Sequence, residues 1–307
     1  MSFYYLDLLN SVCDFYYSFP NCDGDEKSFK FPELKDKKQV FPNAVIYGTN
    51  YIHTRYNIFT EINVPFILIT GKTDYTIPYF EFDNPNNIGF KILQNPNLIA
   101  WYGNNTDSNH PKLITVPLEL PRCIPWIESN YVAWYRNYCH FHVIQGLKHL
   151  PKDKESFKLP KKNLLYCKMT IGNSDNGFTL TRYKNIRKIF INDLESRFSI
   201  DKNLVCWQDY IKELVTHKFC LSLPGRGIDC FRTWESLHLG VIPVVLDTSI
   251  NKIYENLPVI IVKNSSDITE EFLNKEYDKI ISNLDSYDWP KLTLDYWVNK
   301  ILNNSSN

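Results

Sequence analysis

The residues with the most evident chemistry cluster in one stretch, Phe219 to Asp247, where Arg226, Arg232 and Glu235 stand among Gly225, Gly227 and Asp229. A guanidinium fork matches paired anionic oxygens, so Arg226 and Arg232 together suit a diphosphate. Glu235 falls one helical turn after Arg232, about 60° away around the axis, where its carboxylate can accept from ligand hydroxyls. An Arg and a Glu so spaced are commonly a solvated ion pair worth about 0.2–0.5 kcal/mol. Against that reading, Arg232 lies in the first turn of the expected helix, where the dipole disfavours a cation unless an anion is near.

The elements that must position these residues follow from the same stretch. Phe219 to Leu223 is an apolar run ended by Pro224, as in a buried strand. Gly225 and Gly227 then permit a tight turn whose backbone N–H groups point outward. Asp229 is the expected N-cap of a helix over Cys230 to Leu239, with Phe231, Trp234 and Leu237 as its apolar stripe; Gly240 stops it, and Val241 to Leu246 reads as a second buried strand. In a parallel sheet such a turn opens at the carboxyl edge, where a helix N-terminus favours phosphate.

Strand-like and helix-like segments alternate on both sides of a charged, proline-bearing segment, Pro151 to Lys162. Residues 1–40 read as a peripheral segment with a short helix between Tyr4 and Tyr17. An α/β domain is expected over 41–155, with strands at Ala44 to Tyr47, Pro65 to Thr70, Leu98 to Tyr102 and Lys112 to Leu118, and a second over 160–286. The latter has strands at Asn163 to Met169, Leu204 to Trp207 and Pro258 to Val262, and helices over Thr181 to Ser196, Gln208 to His217 and Ile268 to Leu284, the last capped by Asp267 or Ser266. Residues 287–307 form a helix able to cross back to the first domain. Loops after the first-domain strands carry His53, Asp74, Asn105 and Glu119, of which Asp74 is the preferred general base.

Composition narrows the function classes. The 307 residues carry 34 basic and 34 acidic side chains, so any anion site is local and no nucleic-acid footprint is expected. No apolar run is long enough to span a membrane and the first residues lack a signal-peptide pattern, which points to a cytoplasmic protein. The eight cysteines include no Cys-x-x-Cys pair, so no zinc ribbon is expected. No Gly-x-Gly-x-x-Gly follows a first strand, against a dinucleotide-dependent oxidoreductase.

Residues Lys218 to Val262 resemble the donor-binding part of the exostosin-like glycosyltransferases, a family with the two-domain GT-B fold. The resemblance rests on Phe219-Cys220-Leu221-Ser222, Pro224-Gly225-Arg226-Gly227-Ile228-Asp229, Arg232-Thr233-Trp234-Glu235-Ser236-Leu237, Gly240-Val241-Ile242-Pro243-Val244-Val245 and Leu257-Pro258-Val259. A looser likeness covers Trp101 to Asn105, Lys112, Pro117-Leu118, Leu164-Leu165-Tyr166 and Arg182. It implies an α/β fold of GT-B type, two doubly wound parallel-sheet domains facing a cleft. It further implies a UDP- or GDP-sugar donor, a glycan or other hydroxyl acceptor, and no metal or other cofactor. By the resemblance Arg232 would contact the donor diphosphate and Glu235 the ribose or sugar, beside the Gly225 to Asp229 turn; Arg226 and Arg182 are read as further cations for the same diphosphate. Asp23-Gly24-Asp25 resembles the Asp-x-Asp metal site of another glycosyltransferase architecture, but its surroundings read as a solvated loop. The chain departs from the commoner pattern at Leu223 and at Phe231, where a titratable His is frequent. The second departure motivates an alternative, a sugar- or nucleotide-binding subunit without turnover.

Overall fold

The computed structural model describes residues 5–17, 30–48, 57–71, 74–78, 88–118, 154–174, 183–201, 203 and 207–305. The chain builds two parallel sheets. The first contains β1 (Phe15–Tyr17), β2 (Ala44–Gly48), β3 (Phe66–Thr70), β4 (Leu98–Gly103) and β5 (Leu113–Thr115), in that spatial order. The second contains β6 (Asn163–Tyr166), β7 (His217–Ser222), β8 (Ile242–Leu246) and β9 (Ile260–Val262), again in chain order. Every strand pair is parallel.

Central strands β2 and β3 are buried along their whole length, as sheets covered on both faces require. Their side chains alternate between two cores. Ala44, Ile46, Phe66 and Leu68 join the cluster that holds Phe59 of α2 (Asn57–Glu61) and Ile92 and Leu93 of α3 (Ile88–Leu93). Val45, Tyr47, Ile67 and Ile69 face the other way, onto a core shared with Leu8, Leu9 and Val12 of α1 (Tyr5–Val12).

This division explains how the first sheet is covered. Strands in chain order with right-handed crossovers place their connections on one face, and α2 and α3 both lie there. The opposite face is closed by the ends of the chain, α1 and α8 (Leu294–Ser305), which pack on each other, with α8 also against β4. Leu294, Trp297 and Ile301 make the buried stripe of α8, and the Tyr102 hydroxyl donates to the Lys300 carbonyl at 3.2 Å. In both sheets the described strands run in chain order, without the reversal that defines a doubly wound sheet. Of Leu204 to Trp207, expected as a further strand, Leu204 to Cys206 lie outside the described residues and Trp207 is the first residue of a helix.

The second sheet is sandwiched. Between β6 and β7 come α4 (Ile186–Leu194) and α5 (Trp207–Leu214); α6 (Phe231–His238) follows β7, and α7 (Glu270–Ser282) follows β9. Ser222 of β7 bonds Thr233 of α6 at 2.8 Å, whereas Phe219 on the alternate face meets Tyr277 of α7 edge-on, the ring centroids being 6.0 Å apart. A fully buried apolar side chain such as Phe219 contributes about 1.5–3 kcal/mol.

Several sequence expectations need correction. The segment expected as one helix from Tyr4 to Tyr17 is helix α1 followed by strand β1, because Phe15, Tyr16 and Tyr17 find a partner edge in Ile46, Tyr47 and Gly48. The N-cap of α7 is Thr269, whose hydroxyl accepts from the Phe272 N–H at 3.1 Å, while Asp267 instead closes a capping box with Asn264. Within the segment read as a linker, Lys154–Lys158 is a 3-10 turn whose Phe157 is buried against Trp289, ring centroids 5.3 Å apart.

Candidate functional site

The Gly225 to Cys230 turn leaves the carboxyl end of β7 and meets the corner that follows β4. Asn105 at that corner has φ 54°, a left-handed conformation that Asn tolerates better than most residues. Its side-chain carbonyl accepts the Asp229 N–H at 2.7 Å. Asp229 returns the contact: its carboxylate accepts from the Leu118 N–H at 2.9 Å and also from the Cys230 N–H (2.8 Å), both its oxygens facing Trp234 Nε1. The Tyr254 hydroxyl completes the shell at 3.3 Å. A carboxylate surrounded by donors is matched to its ionised form, yet burial pushes the Asp229 pKa up to about 6 against those stabilising hydrogen bonds.

Asp229 is therefore a clasp between the two sheets and not the N-cap of α6. Cys230 holds the cap position with extended backbone and no side-chain capping bond. Asp229 lies one residue earlier with its side chain turned inward. Both glycines serve close approach. A Cβ on Gly225 would come within 2.4 Å of the Arg187 guanidinium, and one on Gly227 within 2.7 Å of the Asn105 amide. The Gly225 N–H bonds the Gly227 carbonyl at 3.0 Å, so with Asp229 and Cys230 also engaged, three amides of the outward row expected from sequence bond within the protein.

Arginine chemistry at this edge is richer than the sequence indicated. Arg187, in the first turn of α4, donates to the carbonyls of Pro224 (3.0 Å), Thr170 (2.9 Å) and Leu223 (3.1 Å) and to Cys230 Sγ (3.6 Å). Burial lowers its pKa, and the nearby Arg232 charge acts in the same direction. Arg232 donates to the Lys168 carbonyl and lies over the rings of Tyr210 and Tyr166, 5.6 and 6.0 Å from their centroids. Glu235 is buried and accepts from the Tyr210 hydroxyl at 2.8 Å. Arg232 and Glu235 thus share a helix face, as their spacing requires, but that face looks onto Tyr210 and the end of β6. Phe231 is exposed, unlike Trp234 and Leu237, so the expected apolar stripe of α6 begins one turn later.

Arg226 is the exposed guanidinium of the turn. Across from it, beyond the end of β3, stands Asp74, whose pKa is raised by burial and drawn back by the Arg226 charge. The two therefore lie within electrostatic reach across the junction of the sheets. The segment bearing Asp74 is fixed to the β4 corner by an isolated bridge between Ile77 and Thr106, with Ile77 N–H to Asn105 O at 3.1 Å and Asp107 N–H to Ile77 O at 2.6 Å.

Beside this junction lies a cavity of about 610 Å3, lined by Asp107, Ser108 and Asn109 from the first sheet and by Tyr183, Ile186, Leu246 to Ser249 and Lys263 from the second. Ser249 joins its walls by donating to the Thr106 carbonyl at 2.9 Å. All of these segments except Tyr183 and Ile186 follow the carboxyl ends of strands, where open parallel sheets bind ligands.

Of the sequence-derived candidates, the structure groups Gly225, Arg226, Gly227, Asp229, Arg232 and Glu235 on one turn and helix and sets Asp74 near Arg226. Arg182, His53, Glu119, Asp23 and Asp25 lie outside the described residues. Among the described residues no group of three or more His, Cys, Asp or Glu is placed to hold a metal ion, and no helix is long and apolar enough to cross a membrane. Arg187, Tyr210 and the cavity residues escaped the sequence reading. The dipole mismatch that marks Arg232 applies equally to Arg187, but a helix expected from Thr181 hides Arg187 in mid-helix. Compared with known proteins, the chain matches no family model and no curated sequence.

Proposed function

We propose that the chain is a metal-independent glycosyltransferase of GT-B type, moving a sugar from a UDP- or GDP-sugar to a hydroxyl acceptor. The observation that carries this reading is the meeting of two parallel sheets at their carboxyl ends, where the β7–α6 turn is bonded to Asn105 and Leu118 and its Arg226 lies within electrostatic reach of Asp74 beyond β3. Arg226 and Arg232, with Arg182, offset the charge of the diphosphate, backed by the positive end of α6 and by Arg187. Glu235 accepts from ribose or sugar hydroxyls once Tyr210 yields it. Asp74 takes the proton of the acceptor hydroxyl as its oxygen bonds the anomeric carbon, and the bond from that carbon to the diphosphate breaks. Burial suits Asp74 to the task, since a raised pKa makes a carboxylate a better base.

Isothermal calorimetry with UDP and GDP tests the donor half. Binding by the wild type and its loss in Arg226→Ala support the reading; a nucleotide bound equally well by the variant removes Arg226 from the site. A second reading, a sugar- or nucleotide-binding subunit without turnover, is favoured by one observation: Arg232 and Glu235 already have protein partners in Lys168 and Tyr210. Nucleotide binding without nucleotide release from any sugar donor would select it.

A further inference from the structure

The 610 Å3 cavity stands apart from the arginines: neither Arg226, Arg232 nor Arg187 lines it. Its size falls in the about 300–1,000 Å3 range of small-molecule sites. Its charged lining is Asp107, Asp247 and Lys263, a net single negative charge that disfavours a phosphate. The remaining lining is divided in character. Tyr183, Ile186 and Leu246 supply apolar surface, while Ser108, Asn109, Thr248 and Ser249 supply hydroxyls and an amide. A pyranose has the same division, with C–H groups on its faces and hydroxyls around its rim. Carboxylates are the strongest acceptors for such hydroxyls.

The acid groups come from both sheets. Asp107 is nearly buried and follows the β4 corner; Asp247 follows β8, exposed, with one oxygen accepting from Asn251 Nδ2 at 2.5 Å. A carboxylate has about four lone-pair sites, so this bond leaves Asp247 with acceptor capacity. Asp107 also donates its N–H to the carbonyl of Ile77, three residues after Asp74, which ties the cavity wall to the candidate base.

We propose that this cavity seats an uncharged saccharide, gripped through its hydroxyls by Asp107 and Asp247 and packed on Tyr183. As the acceptor of sugar transfer it rests on the function proposed above. Saturation-transfer NMR on the full chain, with lactose, cellobiose and N,N′-diacetylchitobiose as probes and UDP in parallel, tests it. Asp247→Ala removes an acceptor and Ser108→Trp fills the space; both positions are solvent-accessible, and thermal melting checks that each variant is folded.

The expected result is saturation of at least one disaccharide, abolished by Ser108→Trp and weakened about tenfold or more by Asp247→Ala, as loss of a charge-assisted hydrogen bond does. UDP binding is expected to be unchanged in both variants. Absence of transfer to all three disaccharides, transfer that survives Ser108→Trp, or loss of UDP binding in either variant overturns the assignment. A disaccharide held in the cavity by a chain that binds neither UDP nor GDP upholds the saccharide site and removes the transferase.

Discussion

At the scale of single residues, Asp229 and Arg226 divide the labour of the β7–α6 turn. Asp229 works for the fold. Asp229→Asn places an amide NH2 among Leu118 N–H, Cys230 N–H and Trp234 Nε1, so one donor loses its acceptor; urea denaturation should show a loss of about 1–3 kcal/mol. Its titration has a definite sign. The folded-state pKa, pushed up to about 6, lies above that of an unfolded Asp, so the native state holds the proton more firmly. The group's contribution to stability is full below about pH 4 and is lost as pH rises through 6, a change on the order of 2–3 kcal/mol. The stability difference between wild type and Asp229→Asn should change with that slope across the window; a constant difference contradicts it. Arg226 works for the ligand. Being exposed, Arg226→Ala should leave stability within about 0.5 kcal/mol of wild type while weakening nucleotide binding. Asp74→Asn should retain nucleotide binding and lose turnover.

At the scale of elements, the strand–turn–helix–strand unit depends on Gly240 as well as on its apolar runs. Gly240 has φ +67° and closes α6, with the Val241 N–H returning to the Ser236 carbonyl at 2.9 Å. A Cβ there would lie 2.4 Å from the Ser156 backbone. Gly240→Ala should therefore cost at least the about 1–2 kcal/mol of a left-handed residue, read as a lowered urea midpoint with an unchanged slope. Much of this unit was legible in the sequence: the run Phe219 to Leu223, the stop at Gly240 and the buried strand ending at Leu246 all depend on local pattern. The inward turn of Asp229 was not, because its partners Asn105 and Leu118 are remote in sequence. Arg232 was legible as an unusual cation, but the Tyr210 and Tyr166 rings beneath it come from other elements. Short strands such as β1 escape periodicity because their pairing edge, not their own residues, decides their state.

At the scale of the molecule, the two sheets are not separate bodies joined by a tether. One continuous core runs from Tyr47 and Ile69 of the first sheet through Leu118 to Phe219 and Val244 of the second, and α8 packs the chain's end against α1 and β4. Calorimetric unfolding should accordingly show one cooperative transition; two resolved transitions would contradict a shared core. The clasps Asp229–Leu118 and Ser249–Thr106 fix the sheets' carboxyl edges together, on the side where Asp74 and Arg226 lie within electrostatic reach of each other. The most direct test of the account is release of nucleoside diphosphate from a panel of UDP- and GDP-sugars incubated with hydroxyl acceptors, run on wild type and Asp74→Asn together. Release that requires an acceptor and disappears in Asp74→Asn, with nucleotide binding kept, is the predicted result; nucleotide bound but never released from any sugar donor, or release unaffected by Asp74→Asn, would contradict it.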